Sequence, residues 1–240
     1  MITVNEHASS FGAAADAYER GRPPYPSEAL DWLLPPGEPR VLDLGAGTGK
    51  LTRQVRDRGL DVVAVDPSPG MLTELNRVVP GVPGHLGSAE SIPLPDRSVD
   101  VVLVAQAWHW VDAARALPEI ARVLTPGGRL GLIWNVRDER TDWVSRLGAI
   151  VGSAETDRGN RITAPFGPPE ATTFDWTHRV KPDELLDLVA SRSRIILLPA
   201  DERAAVLAQV RQLMATHPAL LGRAEYDLPY ITECTRADLR

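Results

Sequence analysis

The expected fold is decided by the stretch Val41-Leu42-Asp43-Leu44-Gly45-Ala46-Gly47-Thr48-Gly49. Its apolar beginning predicts a short, buried parallel strand, and residues 51–56 behind it have the pattern of a helix. Between the two, glycines stand at alternate positions, so that the backbone of the turn can come close to a ligand at the start of the helix. The stretch therefore predicts a strand–turn–helix unit of an α/β fold, with a ligand site at the turn.

The spacing of the glycines argues against two common phosphate-binding turns. A dinucleotide-binding turn would have its third glycine at position 50, where the chain has Lys50. A phosphate-binding loop would need a glycine at position 44 and a hydroxyl after the lysine, but Leu44 and Leu51 stand there. The turn is therefore expected to hold another kind of ligand, which disfavours a nicotinamide-dependent oxidoreductase.

Two acids near the turn indicate what that ligand is. The carboxylate of Asp43, two residues before the first glycine, would repel a pyrophosphate and favours a cofactor that carries positive charge. Asp66 ends the next apolar run, about 20 residues on, where an acid can accept both hydroxyls of a ribose. S-adenosylmethionine has a ribose, an ammonium and a sulfonium but no phosphate, so it fits both acids.

Four motifs follow one another along the chain: Asp43-Leu44-Gly45-Ala46-Gly47-Thr48-Gly49, Asp66-Pro67-Ser68, Gly87-Ser88-Ala89-Glu90 and Arg122-Val123-Leu124-Thr125-Pro126-Gly127-Gly128. In this order they resemble the successive motifs of the class I S-adenosylmethionine-dependent methyltransferases. Within that class, the chain resembles the small-molecule subgroup (methyltransferase type 11) that includes trans-aconitate and ubiquinone/menaquinone-biosynthesis methyltransferases. The resemblance covers roughly residues 11–135 well and the remainder weakly.

The resemblance implies an α/β fold with a doubly wound, mostly parallel seven-stranded sheet, the Rossmann-like methyltransferase fold, as a single domain over residues 1–240. Residues 11–36 are expected to form an N-terminal arm, and 37–137 the cofactor-binding core. Residues 138–190 would be a helical cap of the substrate pocket, inserted after the fifth strand, and 191–240 the C-terminal strands and helix. The last strand is expected to run antiparallel beside the sixth.

The hydrophobic pattern places individual elements along this outline. The expected strands are 41–44, 62–65, 82–87, 101–104, 128–134, 195–198 and 226–231. The expected helices include 27–34 with Ser27 as its N-cap, one that opens with Ser68 as N-cap and Pro69 at its first position, 118–124, 143–150, 182–189 and 204–215.

Composition limits where the protein works and what it binds. The net charge of −6 over 240 residues gives no reason to expect nucleic acid as a partner. Cys234 is the lone cysteine, which excludes an internal disulfide and fits a reducing compartment. The first ten residues lack the apolar core of a secretory signal, and no run reaches the roughly 18 apolar residues of a membrane span. We therefore expect a cytoplasmic monomer or homodimer, away from membranes. The scattered histidines show no metal-ligand spacing, so no metal is expected.

The expected cofactor site gathers residues from all these motifs and from the arm, which folds over the pocket in the subgroup that the chain resembles. Met71 could line the adenosine pocket or fill the core. Relatives carry an aspartate that bonds the adenine amino group where Ser88 stands, so the Ala89 backbone is the first candidate for that contact here. The cofactor-binding prediction comprises Asp43, Gly45, Ala46, Gly47, Gly49, Asp66, Pro67, Met71, Ser88, Ala89, Glu90, Gln106, Tyr18 and Arg22.

Methyl transfer is an in-line displacement, so the protein mainly has to align the two partners and exclude water. A general base helps only where the acceptor must lose a proton. His109 follows the fourth strand and could be that base, or it could only hold the turn by a hydrogen bond. Trp108 and Trp110 flank it, and one of them is expected to wall the reaction zone while the other packs in the core. His109 and Trp108 are the catalytic candidates.

The acceptor is predicted to be a small organic molecule methylated at oxygen. Tyr25, Trp110 and Arg137 are the predicted substrate-binding residues, and Arg22, Arg137 and Arg140 are candidates for binding an acidic acceptor. Two alternatives stay open: methylation of a tRNA base or a protein, and a non-catalytic cofactor-binding module that regulates a partner.

Overall fold

In the computed structural model, residues 22–152 and 162–240 are described. They form one seven-stranded sheet in the order β3-β2-β1-β4-β5-β7-β6. The strands are β1 (Val41–Leu44), β2 (Val62–Asp66), β3 (Gly84–Leu86), β4 (Val99–Ala105), β5 (Leu124–Arg137), β6 (Glu170–Val180) and β7 (Tyr226–Asp238). The first five are parallel, and β7 lies between β5 and β6, antiparallel to both. The predicted mostly parallel, seven-stranded fold is confirmed.

Helices cover both faces of the sheet because β1, β2 and β4 are apolar on both sides and need cover on each. The helices are α1 (Ser27–Leu33), α2 (Lys50–Arg56), α3 (Pro69–Val78), α4 (Ala113–Val123), α5 (Asp142–Val151), α6 (Pro182–Ala190), α7 (Ser193–Ile196) and α8 (Ala200–Thr216). Helices α1, α2 and α3 pack with Tyr25 in one core cluster, while α4 packs in the cluster on the opposite face.

Helix starts follow the predicted capping chemistry at α3 and depart from it at α1. The Ser68 hydroxyl accepts the Met71 N–H, and Pro69 opens α3. At α1, Ser27 is already the first helical residue and Pro26 occupies the N-cap position. The difference is one residue and moves no part of the site.

The sixth strand is not where the sequence pattern placed it. Residues 195–198, predicted as a strand, form the end of the short helix α7 and the turn that follows it, and Ile195 packs in a cluster with α5, α6 and α8. The true sixth strand, β6, lies inside the interval 138–190 that was assigned to the cap. It was missed because exposed residues alternate with half-buried ones along this edge strand, so it has no apolar run.

The helical cap is therefore divided by β6 rather than being one insertion after β5. Helix α5 comes before β6, whereas α6, α7 and α8 come between β6 and β7. All four contribute to one apolar cluster that also includes Tyr226 and Tyr230 of β7. In the described part of the chain, no helix is long and apolar enough to cross a membrane. Tyr18 and the other residues of 11–21 in the predicted arm lie outside the described residues.

Candidate cofactor and acceptor site

The glycine turn follows β1 at the carboxyl edge of the sheet, where ligands bind in folds of this kind. Gly45 and Gly47 have φ angles of +75° and +56°, which side-chain-bearing residues rarely adopt. A Cβ added to Gly45 would lie 2.9 Å from the Cβ of Ala107. The sequence could take no larger residue at position 45 without moving the loop that follows β4.

Asp66 holds this turn from the end of β2. Its Oδ2 accepts the Gly47 N–H at 2.8 Å, and its Oδ1 accepts the Ser68 N–H at 2.8 Å. Burial raises the pKa of this carboxyl, and the two backbone donors oppose that rise. Each carboxylate oxygen can accept more than one hydrogen bond, so Asp66 can organise the turn and still receive a ligand hydroxyl.

Asp43 lies fully buried at the foot of the turn. Its Oδ2 accepts a hydrogen bond from the Thr52 hydroxyl at 2.6 Å, and its Oδ1 has no hydrogen-bond partner. Burial raises the pKa of Asp43 to about 7, an effect that Thr52 opposes and the nearby Asp66 reinforces. A buried carboxylate oxygen without a donor is costly, and a cationic ligand group would offset that cost.

A cavity opens above the turn, between it and the segment before α1. It is lined by Arg22, Pro23, Tyr25, Gly45, Ala46, Gly47, Thr48, Lys50, Leu51, Ala105 and Gln106. Gln106 has a φ of +58°, and its side-chain amide donates to the carbonyl of Asn135 at 3.1 Å. Such strained non-glycine residues cluster at functional sites. The structure thus brings Arg22, Tyr25 and Gln106 together with the glycine turn.

Other predicted cofactor residues lie at neighbouring positions and do not line this cavity. A Cβ on Gly49 would lie 2.9 Å from Leu75 in α3, so this glycine allows two helices to pack closely. The Glu90 carboxylate accepts the N–H of Asp112 at 2.9 Å and holds the loop after β4. Met71, in α3 after β2, is buried. After β3, Ala89 is buried and Ser88 forms a tight turn with Ser91. Pro67 is exposed in that region.

The two tryptophans after β4 separate as predicted, but the catalytic assignment of Trp108 does not fit its position. Trp108 is only 2% exposed and packs in the apolar cluster beside α4. Trp110 is 39% exposed, and its ring lies 4.4 Å from that of His109. The His109 ring also lies 5.3 Å from Trp134 of β5. A short 3₁₀ turn turns Trp108 inward, which the two-residue spacing alone could not indicate.

Strands β5, β7 and β6 contribute a polar network that the sequence analysis missed. The Thr232 hydroxyl accepts from the indole N–H of Trp176 at 2.8 Å and donates to the Asn135 side chain at 2.6 Å. Asn135 in turn donates to the carbonyl of Pro24 at 2.9 Å. This network fastens the segment before α1 to the sheet. Its residues carry no local motif, and only the strand register brings them together.

A group of arginines lies where β5 ends and the helical cap begins. Arg137 at the end of β5 is 6% exposed, and it donates to the carbonyl of Gly152 at 3.3 Å. Arg192 donates to the same carbonyl at 3.5 Å, and Arg22 donates to the carbonyl of Ser191 at 3.4 Å. Burial lowers the pKa of Arg137, and the Arg22 guanidinium lowers it further.

The predicted candidate Arg140 does not belong to this group. Its side chain is exposed and donates two hydrogen bonds of 2.7 Å to the carboxylate of Asp138. It also contacts Asp175 on β6 at 3.3 Å. A guanidinium that is already paired at the surface is a poor candidate for binding an acceptor.

Known proteins that are similar to this chain are methyltransferases. A family model described as a methyltransferase domain matches residues 42–132. A methyltransferase of Mycobacterium tuberculosis (strain ATCC 25618 / H37Rv) is 59% identical over 232 residues, covering 96% of both chains. The malonyl-[acyl-carrier protein] O-methyltransferase of Methylococcus capsulatus is 39% identical over 133 residues, covering 50% of this chain and 48% of that protein.

A solved structure from Anaeromyxobacter dehalogenans, described as a type II methyltransferase, has the same fold. It superposes with a TM-score of 0.64 at 26% identity, covering 91% of this chain and 97% of that one. The glycine turn, the two buried acids and a relative that matches nearly the whole chain agree with one another. The chain belongs to the class I S-adenosylmethionine-dependent methyltransferases, enzymes whose methyl donor is S-adenosylmethionine.

Proposed function

We propose that this protein transfers the methyl group of S-adenosylmethionine to an oxygen atom of a small organic acceptor. The observation that carries the cofactor assignment is the buried Oδ1 of Asp43, which has no donor at the foot of the glycine turn. A positively charged cofactor end supplies what this oxygen lacks, whereas a phosphate would be repelled by it.

The residues around the turn fit the remaining parts of the cofactor. Asp66 would receive the ribose hydroxyls, the backbone of Gly45 and Gly47 would lie against the ligand, and Gln106 would face its amino-acid end. When bound, S-adenosylmethionine supplies an activated methyl group. The contribution of the chain is then alignment and exclusion of water, which is worth on the order of 7 kcal/mol or more in favourable model reactions.

The proposal of a small acceptor is supported by the segment that covers the cavity above the glycine turn. The segment before α1 is fastened over the cavity by Gln54, which exchanges two hydrogen bonds with the Tyr25 backbone at 2.7 and 2.8 Å. Such a covered cavity suits a small molecule better than a folded RNA. The oxygen target is supported by the M. capsulatus relative, which is named as an O-methyltransferase.

The test is calorimetric titration of the protein with S-adenosylhomocysteine, with NAD in a parallel cell. Micromolar binding of S-adenosylhomocysteine without binding of NAD is expected. Binding of NAD alone would contradict the proposal. Protein that binds S-adenosylhomocysteine is then supplied with S-adenosylmethionine and hydroxyl, carboxylate and amine acceptors, and the position of the transferred methyl group is determined by mass spectrometry.

His109 is the proposed base if the acceptor that is found carries a hydroxyl. Replacing His109 with alanine is then expected to lower kcat by about 100-fold or more, a typical contribution of general base catalysis. The affinity for S-adenosylhomocysteine, measured in the same preparation, is expected to stay unchanged. Unaltered turnover would mean that His109 only packs between Trp110 and Trp134.

A further inference from the structure

Three guanidinium groups meet where β5 reaches the cap. Arg137 and Arg192 share the Gly152 carbonyl, and Arg22 reaches the Ser191 carbonyl next to Arg192. The pKa of Arg192 is lowered by burial and by the guanidinium groups of Arg137 and Arg22, and the pKa of Arg137 is lowered by burial and by Arg22. Positive charges are therefore concentrated in a poorly hydrated place.

Arg137 is buried but makes few of the hydrogen bonds that its guanidinium group could make. Its side chain is 4% exposed, yet neither Nε nor Nη1 has a hydrogen-bond partner. Its contact with Gly152 caps the end of α5, which is a favourable position for a cation, but this contact uses Nη2 only. Two buried donors on a charged group carry a desolvation penalty that the protein itself does not offset.

Within the described ranges 22–152 and 162–240, carboxylates do little to balance the charge of Arg137 and Arg192. There, Glu139 is the one carboxylate paired with Arg137, at a distance of 3.9 Å, and no carboxylate pairs with Arg192. The Nε and Nη1 groups of Arg137 therefore keep N–H donors that a carboxylate or a phosphate, the usual anionic partners of a guanidinium, can accept. An anion with oxygen acceptors, such as a carboxylate or a phosphate, would offset this penalty.

The location connects this charge with the site of methyl transfer. Arg22 lines the cavity above the glycine turn and also belongs to the arginine group. Arg137 pairs with Tyr230 across β5 and β7, and Tyr230 pairs with Trp176 across β7 and β6, so the three side chains share one face of the sheet. The rings of Trp176 and Tyr230 stack at 5.4 Å. An anion at Arg137 would lie beside an aromatic surface.

We propose that Arg137, with Arg22 and Arg192, binds an anionic group of the methyl acceptor, a carboxylate or a phosphate, and so defines the acceptor as an acidic small molecule. This inference rests on the proposed function and names the substrate class of the same site. The stacked Tyr230 and Trp176 would contact the carbon skeleton next to the anionic group.

The test measures anion binding to protein saturated with S-adenosylhomocysteine, at constant ionic strength. Malonate, succinate and inorganic phosphate are the probes, titrated by calorimetry. Binding of a dicarboxylate without phosphate would assign a carboxylate acceptor, and the reverse would assign a phosphate. In either case Arg137→Gln is expected to weaken the bound probe at least tenfold. The matched control Arg140→Gln removes an exposed arginine three positions away and is expected to change the affinity less than twofold.

A second measurement separates binding from a purely structural role. If Arg137 is an uncompensated charge, the Tm of Arg137→Gln without any anion is expected to equal or exceed that of the wild type. A structural cap of α5 would instead lose several degrees and keep its anion affinity, which would overturn the proposal. If Arg137→Gln does not fold, Arg192→Gln takes its place in both measurements.

The outcomes for the two proposals are distinguishable. Wild-type protein that binds S-adenosylhomocysteine but none of the three probes would overturn the acidic acceptor and leave the methyltransferase proposal intact. Absence of S-adenosylhomocysteine binding would contradict the proposed function by itself. The anion titration of the same protein without S-adenosylhomocysteine would then still decide whether the arginine group is an anion site.

Discussion

The two sides of the candidate site carry charge of opposite sign. On the proposed cofactor side, Asp43 and Asp66 lie under a turn formed by consecutive residues of the chain. On the proposed acceptor side, Arg22, Arg137 and Arg192 come from three distant parts of the chain and meet at the cap. On either side, these side chains are already largely removed from water in the free protein. Binding of an ion of opposite charge would therefore cost little further desolvation of the protein. The contrast indicates a cationic ligand on one side and an anionic one on the other.

The sides also differ in how their parts are held. The acidic side is held by contacts between residues at most 19 positions apart along the chain, such as those from Asp66 to Gly47 and Ser68. The basic side depends on strand register and on the cap, as the contacts of Thr232 with Asn135 and Trp176 illustrate. If the sides are independent, a substitution on one should leave ligand binding on the other unchanged.

The largest effect on the acidic side is expected from Asp66→Ala. This substitution removes the acceptor for the ribose and for two backbone N–H groups, and hydrogen bonds to charged groups are worth about 1.5–3 kcal/mol each. Affinity for S-adenosylhomocysteine, measured by calorimetry, is expected to fall at least 100-fold, while the protein still unfolds cooperatively. Asp61→Ala, which removes an exposed acid paired with Arg40 at 3.2 Å, is the control and should bind normally. Wild-type affinity in Asp66→Ala would remove this residue from the site.

A smaller change in the affinity for S-adenosylhomocysteine, about tenfold, is expected from the protonation of Asp43. Its pKa of about 7 in the free protein leaves it largely neutral at pH 6. A bound ammonium lowers that pKa, so binding releases a proton and affinity rises with pH up to about 7 and then levels off. S-adenosylhomocysteine should therefore bind roughly tenfold more weakly at pH 6 than at pH 8, and Asp43→Asn should abolish this dependence.

Thr52 provides a finer test of the same group. The Thr52 hydroxyl lowers the pKa of Asp43, so Thr52→Val is expected to move the midpoint of the pH dependence upward. A wild-type affinity that is flat between pH 6 and pH 8 would contradict the whole account of Asp43.

The smallest effect on cofactor binding is expected from Thr232→Val on the basic side. The substitution preserves shape but leaves the Trp176 N–H and the Asn135 side-chain oxygen without their partner, at a cost of about 1–3 kcal/mol in the free energy of unfolding. Chemical denaturation would measure that loss, with Thr177→Val, an exposed threonine on β6, as the control. Affinity for S-adenosylhomocysteine should stay within twofold. A larger change would mean that the two sides are coupled.

Much of the fold and of the cofactor side could be predicted because the relevant signals are local. A buried parallel strand is an apolar run, and the turn behind it needs glycines for its positive φ angles and for the close approach of Ala107 to Gly45. Asp43 and Asp66 are recognisable by their distance from that turn. The same local signals did not distinguish Gly49, which packs against Leu75, from the glycines that face the cavity.

The sequence by itself determined the class of enzyme and the mostly parallel, seven-stranded fold, and it predicted Asp43 and Asp66 as the acids of the cofactor side. Only the tertiary structure decided that β6 is an edge strand, that Trp108 is buried while Trp110 is exposed, and that the cap is divided. It alone also brought Arg22, Arg137 and Arg192 together. The physical reason is that a strand–turn–helix unit is specified by neighbours in the chain. A charge cluster between strands and helices far apart in the chain is specified by register and packing, which leave no pattern in any short stretch of residues.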